Sequence, residues 1–333
     1  MQDYPTFVVV ALQDKNEAMQ LVESIKLENE SNFLTEGAEV FVQKLDVTKQ
    51  FEQLATKWAK DDAKFAVAWA KCLVYFDQAI DRETTDILEG VYKLPEESSL
   101  GFRLSKLVKM YQQDAETVSI LLEIIRDLTG EYQTGWQEAI GAKGGCATLT
   151  KMLQSYSDNP KMLGDIMQTM RTMVCDEDGN EPKNRIRFRK HSACDEIVRV
   201  LQKYKGTSSE KLIAQAGIDA IGGISANSES NKKYFGDIGA CELISDLAAS
   251  GLYNVANTVY NLASQNAKKL IDLGLIDKIR RSQDSDIQKE WTVKRLKEFE
   301  NREDEEVVED EDVSEGGDDD DTDDDGARRA RRW

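Results

Sequence analysis

Four short sets of residues recur along this chain with one internal spacing. Trp136, Ile140 and Gly144 stand four and four residues apart. So do Asn184, Phe188 and Ser192, then Asn231, Phe235 and Gly239, then Asn266, Leu270 and Gly274. Ten residues after each first member comes Cys146, Cys194, Cys241 or Ile276, and five after each Gly or Ser comes Leu149, Ile197, Ile244 or Ile279. The last members of the sets lie about 48, 47 and 35 residues apart. A unit returning at this period cannot bury its apolar face alone, so the copies must stack. That constraint points to a helical array, and to a binding surface before an enzyme.

The intervening sequence is helical in pattern. Gln13 to Leu27, Glu36 to Trp58, Lys64 to Ile80 and Thr84 to Leu94 carry apolar residues at helical spacing, and only Phe7 to Val10 reads as strand-like. From about residue 100 the order becomes regular. A short helix (Trp136 to Ile140), a glycine break, a second helix (Cys146 to Leu153) and a third (Leu163 to Met173) make one unit. The order returns in Asn184 to His191, Cys194 to Tyr204 and Glu210 to Ile224, and again in Asn231 to Phe235, Cys241 to Ala249 and Asn254 to Leu262. A partial unit from Asn266 to Arg281 precedes a polar capping helix ending near Asn301. Gly at the break accepts positive φ and lets one helix turn sharply into the next; Ser192 weakens that turn in its repeat. Four prolines in the whole chain suit long helices.

Three regions follow. Residues 1–99 are a helical region of degenerate repeats or a cap; 100–301 hold the repeats and the capping helix; 302–333 are a tail. The net charge is -19, but residues 303–325 carry 16 acids and no base, and four arginines follow before Trp333. The body keeps only about -7, and the acidic stretch is expected to be disordered by self-repulsion and lack of apolar content. A net-negative body argues against nonspecific nucleic-acid binding. No apolar run is long enough to span a membrane, and the first residues lack the pattern of a secretory signal.

Catalytic chemistry finds little material. The five cysteines (Cys72, Cys146, Cys175, Cys194 and Cys241) are odd in number and contain no CxxC, and three share one repeat position, as small core residues in a reducing compartment would. His191 is the sole histidine. No phosphate loop of the GxxxxGK[ST] type occurs, and Asp176 to Pro182 puts its glycine fourth where a calcium loop needs it sixth. No metal, cofactor, small-molecule substrate or enzymatic activity is expected.

The units resemble the armadillo repeat. Asn231-Lys-Lys-Tyr-Phe-Gly-Asp-Ile-Gly-Ala-Cys-Glu-Leu-Ile is similar to that family's N-x-x-x-φ-x-x-x-G-x-φ turn, and Asn261-Leu-Ala to the ending of its third helix. A stretch from Met170 to Gly179, followed by Arg185-Ile-Arg-Phe-Arg, resembles the armadillo repeat-containing protein 6 branch of the family. The resemblance implies an all-α, right-handed superhelical solenoid whose third helices line a concave groove for a partner segment. The residues it places there are Glu123, Asp127, Gln168, Thr172, Asp219, Asn257 and Asn261. The tryptophans of the importin-α ladder are missing, and of its asparagines only Asn261 stands in place. Glu123, Asp127 and Asp219 favour a basic or helical segment of a partner protein. Lys183, Arg185, Arg187, Arg189 and Lys190 form a second candidate patch, for the acidic tail or an acidic partner, although an alternating run on a helix does not share one face. The expectation is a non-catalytic scaffold or adaptor in the cytoplasm, with nuclear shuttling open. The alternative is a regulator of a nucleotide-binding client such as an Hsp70 or a small GTPase.

Overall fold

The chain divides into two units, Met1–Arg302 and Glu303–Trp333. The computed structural model describes residues 14–25, 27–28, 33–34, 47–80, 99–130, 134–175, 183–248 and 252–300, all in the first unit. The expected elements at Phe7 to Val10 and Thr84 to Leu94, residues 36–46 of the expected helix from Glu36 to Trp58, the Asp176 to Pro182 insertion and the tail lie outside these residues.

The fold is all-α. The helices are α1 (Lys15–Ser24), α2 (Val47–Leu54), α3 (Ala63–Ile80), α4 (Ser99–Met110), α5 (Ala115–Leu128), α6 (Thr134–Ile140), α7 (Cys146–Ser155) and α8 (Pro160–Thr172). Then come α9 (Lys183–Lys190), α10 (Ala193–Tyr204), α11 (Glu210–Ser225), α12 (Glu229–Asp237), α13 (Ala240–Leu247), α14 (Val255–Asp272), α15 (Leu275–Arg280) and α16 (Asp286–Glu300). Extended structure is limited, among the described residues, to one antiparallel pair, Leu27–Glu28 with Phe33–Leu34.

The helices start where capping chemistry allows. Asp14, Asp114, Asn159 and Ser228 each accept a backbone N–H of the first turn of α1, α5, α8 and α12. Pro160 opens α8, where its missing N–H costs nothing. The expected breaks are real: Gly144, Ser192, Gly239 and Gly274 all take left-handed backbone, with φ of 88°, 61°, 89° and 71°. Each stands between one helix and the next, a short one before Ser192 and Gly239 and the long α14 before Gly274. Ser192 holds this conformation with a Cβ, which glycine would avoid.

The third helices form one layer. α1 packs on α3, α3 on α5, α5 on α8, α8 on α11, α11 on α14 and α14 on α16. From α5 onward, side-chain hydrogen bonds to the next helix show that the neighbours run parallel. Ser119 and Arg126 of α5 reach Asp165 and Thr169 of α8. Thr258 and Asn261 of α14 reach the carbonyls of Ile218 and Gly222 in α11, and Thr292 of α16 reaches that of Ala256. Behind this layer stand α7, α10 and α13, each packed on the next. Between the two lies a continuous apolar core that includes Cys146, Cys194 and Cys241, all fully buried. At Gly217 and Gly222 the helices approach so closely that a Cβ would stand 2.7 Å from Leu201 and 2.5 Å from Thr258.

The first residue of each recurrent set has a defined task. Asn184 donates its amide to the carbonyls of Gln137 (2.7 Å) and Met173 (3.1 Å). Asn231 donates to Arg185 (3.2 Å) and Ile224 (2.9 Å), and Asn266 to Lys232 (2.9 Å) and Leu262 (3.1 Å). In each case one acceptor follows the first member of the preceding set; the other lies at the end of α8 or α11 for Asn184 and Asn231, and one turn back in the same helix for Asn266. In the earliest set the neighbouring Gln137 reaches two carbonyls instead, those of Thr129 and Thr172.

One expected boundary is absent. The third helix from Asn254 to Leu262 and the short helix starting at Asn266 are fused in α14. Ala263-Ser264-Gln265 contains neither a glycine nor a cap to stop the helix, whereas Ala226-Asn227-Ser228 breaks α11 from α12, with Asn227 at φ 52°.

Two stability outcomes follow from these roles. Asn231→Ala removes two buried donors and is expected to cost about 2–4 kcal/mol in urea unfolding, with Asn231→Asp no better because it cannot donate. Equal midpoints for the wild type and Asn231→Asp would contradict the assignment. Ser192→Gly is expected to gain about 1 kcal/mol by relieving left-handed strain, while Gly239→Ala loses a similar amount; a shift in the same direction for both would count against it.

Candidate partner-binding groove

The seven residues expected to face a partner lie on four neighbouring helices of the parallel layer. Glu123 and Asp127 project from α5, Gln168 and Thr172 from α8, Asp219 from α11, and Asn257 and Asn261 from α14. Glu123, Asp127, Gln168 and Asn257 are exposed, and Thr172, Asp219 and Asn261 are half-buried. The half-buried three are engaged within the layer. Thr172 Oγ1 lies 2.8 Å from Thr129 Oγ1. Asn261 donates to the Gly222 carbonyl at 3.0 Å. Asp219 accepts from Asn254 Nδ2 at 2.9 Å and from Gln215 Nε2 at 3.2 Å.

Register explains why these residues match. Asp127, Thr172, Gly223 and Asn261 each precede a buried residue (Leu128, Met173, Ile224 or Leu262) at the matching place of its repeat. At Gly223 the place of a side chain is taken by Arg171, reaching across from α8. A Cβ there would stand 2.8 Å from Arg171 Cδ and 2.9 Å from Val174 Cγ2. Arg171 also donates to Cys175 Sγ and stands near enough to Asp219 to favour its ionised form. Sequence reading missed Arg171. The available signal was the glycine itself, at a position where the other repeats carry a side chain.

The acids are not held by ion pairs that favour their charge. Burial pushes the Asp219 carboxyl above its ordinary value of 3.8, outweighing the help from Asn254, Gln215 and Arg171. Asp127 is also raised, first by the partial desolvation of its carboxyl on α5 and then by Glu123 one turn away, with Arg126 opposing. The tip of Asp127 remains open to solvent, so desolvation there is partial.

The second candidate patch does not form one surface. Arg185 is buried, and its guanidinium donates to the carbonyls of Gly223 (3.0 Å) and Val174 (2.8 Å), tying together the ends of α8 and α11. Arg187 is half-buried and makes a two-pronged bond to Glu138 at 2.8 and 2.9 Å. Lys183 reaches the same carboxylate at 3.8 Å. Arg189 is half-buried, and Lys190 is exposed. The run alternates in sequence, so the helix sends part of it inward, where carbonyls and Glu138 take the charge.

Reactive chemistry is scarce here. Burial pushes the thiols of Cys194 and Cys241 up to about 12 and raises those of Cys72 and Cys146 as well. Cys175 is half-buried, and His191 lies exposed at the turn from α9 to α10. Among the described residues no group of His, Cys, Asp and Glu has the arrangement to hold a metal ion, and no helix is long and apolar enough to cross a membrane.

Neither a family model nor a curated protein matches this chain.

The raised Asp219 carboxyl sets a pH-dependent outcome. A carboxyl whose folded pKa lies above its unfolded value makes ionisation costly in the folded state. That cost is present at neutral pH and vanishes below about 3.8. Asp219→Asn is therefore expected to be more stable than the wild type near pH 7 in thermal melts, with the difference closing as the pH falls toward 3.8. An advantage that grows on acidification would reverse the assigned sign.

Proposed function

We propose that residues 100–301 form an armadillo-type, right-handed superhelical solenoid. It acts as a non-catalytic scaffold or adaptor and takes a basic segment of a partner protein along its parallel helix layer. The observation that carries this reading is the placement of Glu123 and Asp127 on α5 and of Asp219 on α11 of one layer, with Glu123 and Asp219 at matching positions of their helices and two of the three carboxyls raised by desolvation. A carboxylate that gives up water and lacks a strong internal cation gains most when a ligand supplies one. The regular layer supports the solenoid reading. Four left-handed turns and three asparagine bridges repeat the same geometry at the same places in successive units.

The acids select by sign and position rather than by depth. Adjacent parallel helices stand about 8–10 Å apart, so α5 and α11 are separated by roughly 20 Å. A single cation cannot serve both, and a segment spanning the layer is needed. Gln168, Asn257 and Asn261 provide amides between and beyond the acids for that segment's polar groups. The Arg171 guanidinium beside Asp219 sets a limit, because a second cation there competes with it.

Affinity capture from native extract compares the wild type with Asp127→Arg/Asp219→Arg. Loss of a discrete set of bound proteins, with the circular dichroism melt retained, is the expected result. Identical captured proteins on both chains would move binding away from this face.

A further inference from the structure

A cleft of about 530 Å³ opens between α1, α3 and α5, at the N-terminal end of the same layer. Its floor is apolar, with Val67 of α3 and Ile120 of α5. The two helices α3 and α5 bring opposite charge to its lining. On α3, Lys64, Val67, Lys71 and Tyr75 fall on one stripe, and both lysines are exposed. On α5, Glu116, Ile120, Glu123 and Asp127 fall on one stripe, so the cleft wall runs on into the acids of the groove. Glu23 of α1 closes the far side behind α3.

We propose that this cleft receives an amphipathic helix of a partner protein, apolar along its base, acidic on the flank toward α3 and basic on the flank toward α5. The inference rests on the groove reading, which supplies the basic flank, and adds the shape and the second charge of the ligand. Neighbouring helices with axes about 8–10 Å apart leave a shallow furrow between them, into which a third helix of about 10–12 Å diameter seats by its side chains. A helix shows acidic, apolar and basic stripes side by side along its length. An extended chain alternates its side chains between two opposite faces and cannot present three parallel stripes to one surface. The stripes from Lys64 to Tyr75 and from Glu116 to Asp127 each run about 16 Å, three turns of a docked helix. The opposed walls also fix direction, because reversing the helix exchanges its flanks and sets like charges against each other.

Three helical peptides with the same leucine stripe test this. One carries Glu on one flank and Lys on the other, one carries Lys on both, and one carries Glu on both. Fluorescence anisotropy on the full chain at low salt should rank the mixed peptide first, by about tenfold over either of the others. Lys64→Glu/Lys71→Glu should reverse the order and put the all-Lys peptide first. Lys71→Glu alone serves if the double variant melts early. Ile120→Ser should weaken all three. The proposal is overturned if the all-Lys peptide already binds the wild type best, if the ranking ignores Lys64 and Lys71, or if none of the peptides binds. Should the proteins captured from extract still depend on Asp127 and Asp219 while the ranking ignores the lysines, the cleft assignment falls and the groove reading stands. Should that capture ignore both aspartates, the groove reading itself falls.

Discussion

A buried asparagine that reaches back to the preceding repeat keeps these helices in step. Apolar packing drives the stack but is nondirectional, and one ridge of leucines and isoleucines can slide along another. An amide cannot slide. Asn184, Asn231 and Asn266 each reach a carbonyl in the preceding short helix, and Asn184 and Asn231 join it to the carbonyl at the end of a third helix, while Asn266 joins it to Leu262 of its own helix. Leaving those carbonyls unmet in the interior costs more than the hydrogen bonds contribute when made, so the wrong register is penalised. The bridge also explains a second residue. A Cβ on Gly141 would fall 1.7 Å from Asn184 Oδ1, and one on Gly236 would fall 1.8 Å from Asn266 Oδ1. At these two places the asparagine of one repeat thus requires a glycine in the repeat before it. Arg189 holds the corresponding place ahead of Asn231, and Asn231 Oδ1 is buried without a hydrogen-bond partner.

Because the bridges set height as well as spacing, the parallel layer offers its open side chains in rows. Asp127, Thr172 and Asn261 come to equivalent positions since Leu128, Met173 and Leu262 behind them are fixed in the core. A recognition surface of this kind is inherited from packing. Changing Asp127 or Asn257 leaves the core untouched, so such an array can vary its specificity residue by residue while its bridges hold.

Much of this was legible because repetition turns a weak local signal into a strong one. The four-and-four spacing located the left-handed turns at Gly144, Gly239 and Gly274 and the unusual one at Ser192, though not those at Gly206, Asn227 and Asn254, and the shared Cys position marked a buried column. Three features were hidden, each for a physical reason. The fusion of α14 depends on the absence of a stop signal, which spacing does not display. The basic run at Arg185 to Lys190 looked like surface because charge is normally solvated, yet Arg185 finds two carbonyl acceptors inside. The cleft between α3 and α5 arises where two helices meet across 45 or so residues of sequence. Neither stripe alone marks a cleft. In residues 1–99 the anchors stand once at the four-and-four spacing, at Asn29, Phe33 and Gly37, but Glu39 takes the place where the later units carry Cys or Ile.

In the proposed groove the acids and the fold are in mild opposition, and that opposition would set a preference by sign. Asp219 meets two amide donors and a nearby guanidinium, and still its carboxyl is raised by burial. The fold therefore gains nothing from its charge at neutral pH. A cation arriving beside Asp219 removes part of the cost of that buried charge and adds its own attraction, so binding and stability are coupled through the same group. An apolar ligand brings no such relief, and an anionic one increases the cost. Discrimination by sign then follows from desolvation already present in the unbound protein. Arg171 moderates it from the neighbouring helix, because any gain offered by an incoming cation is reduced by the one already in place.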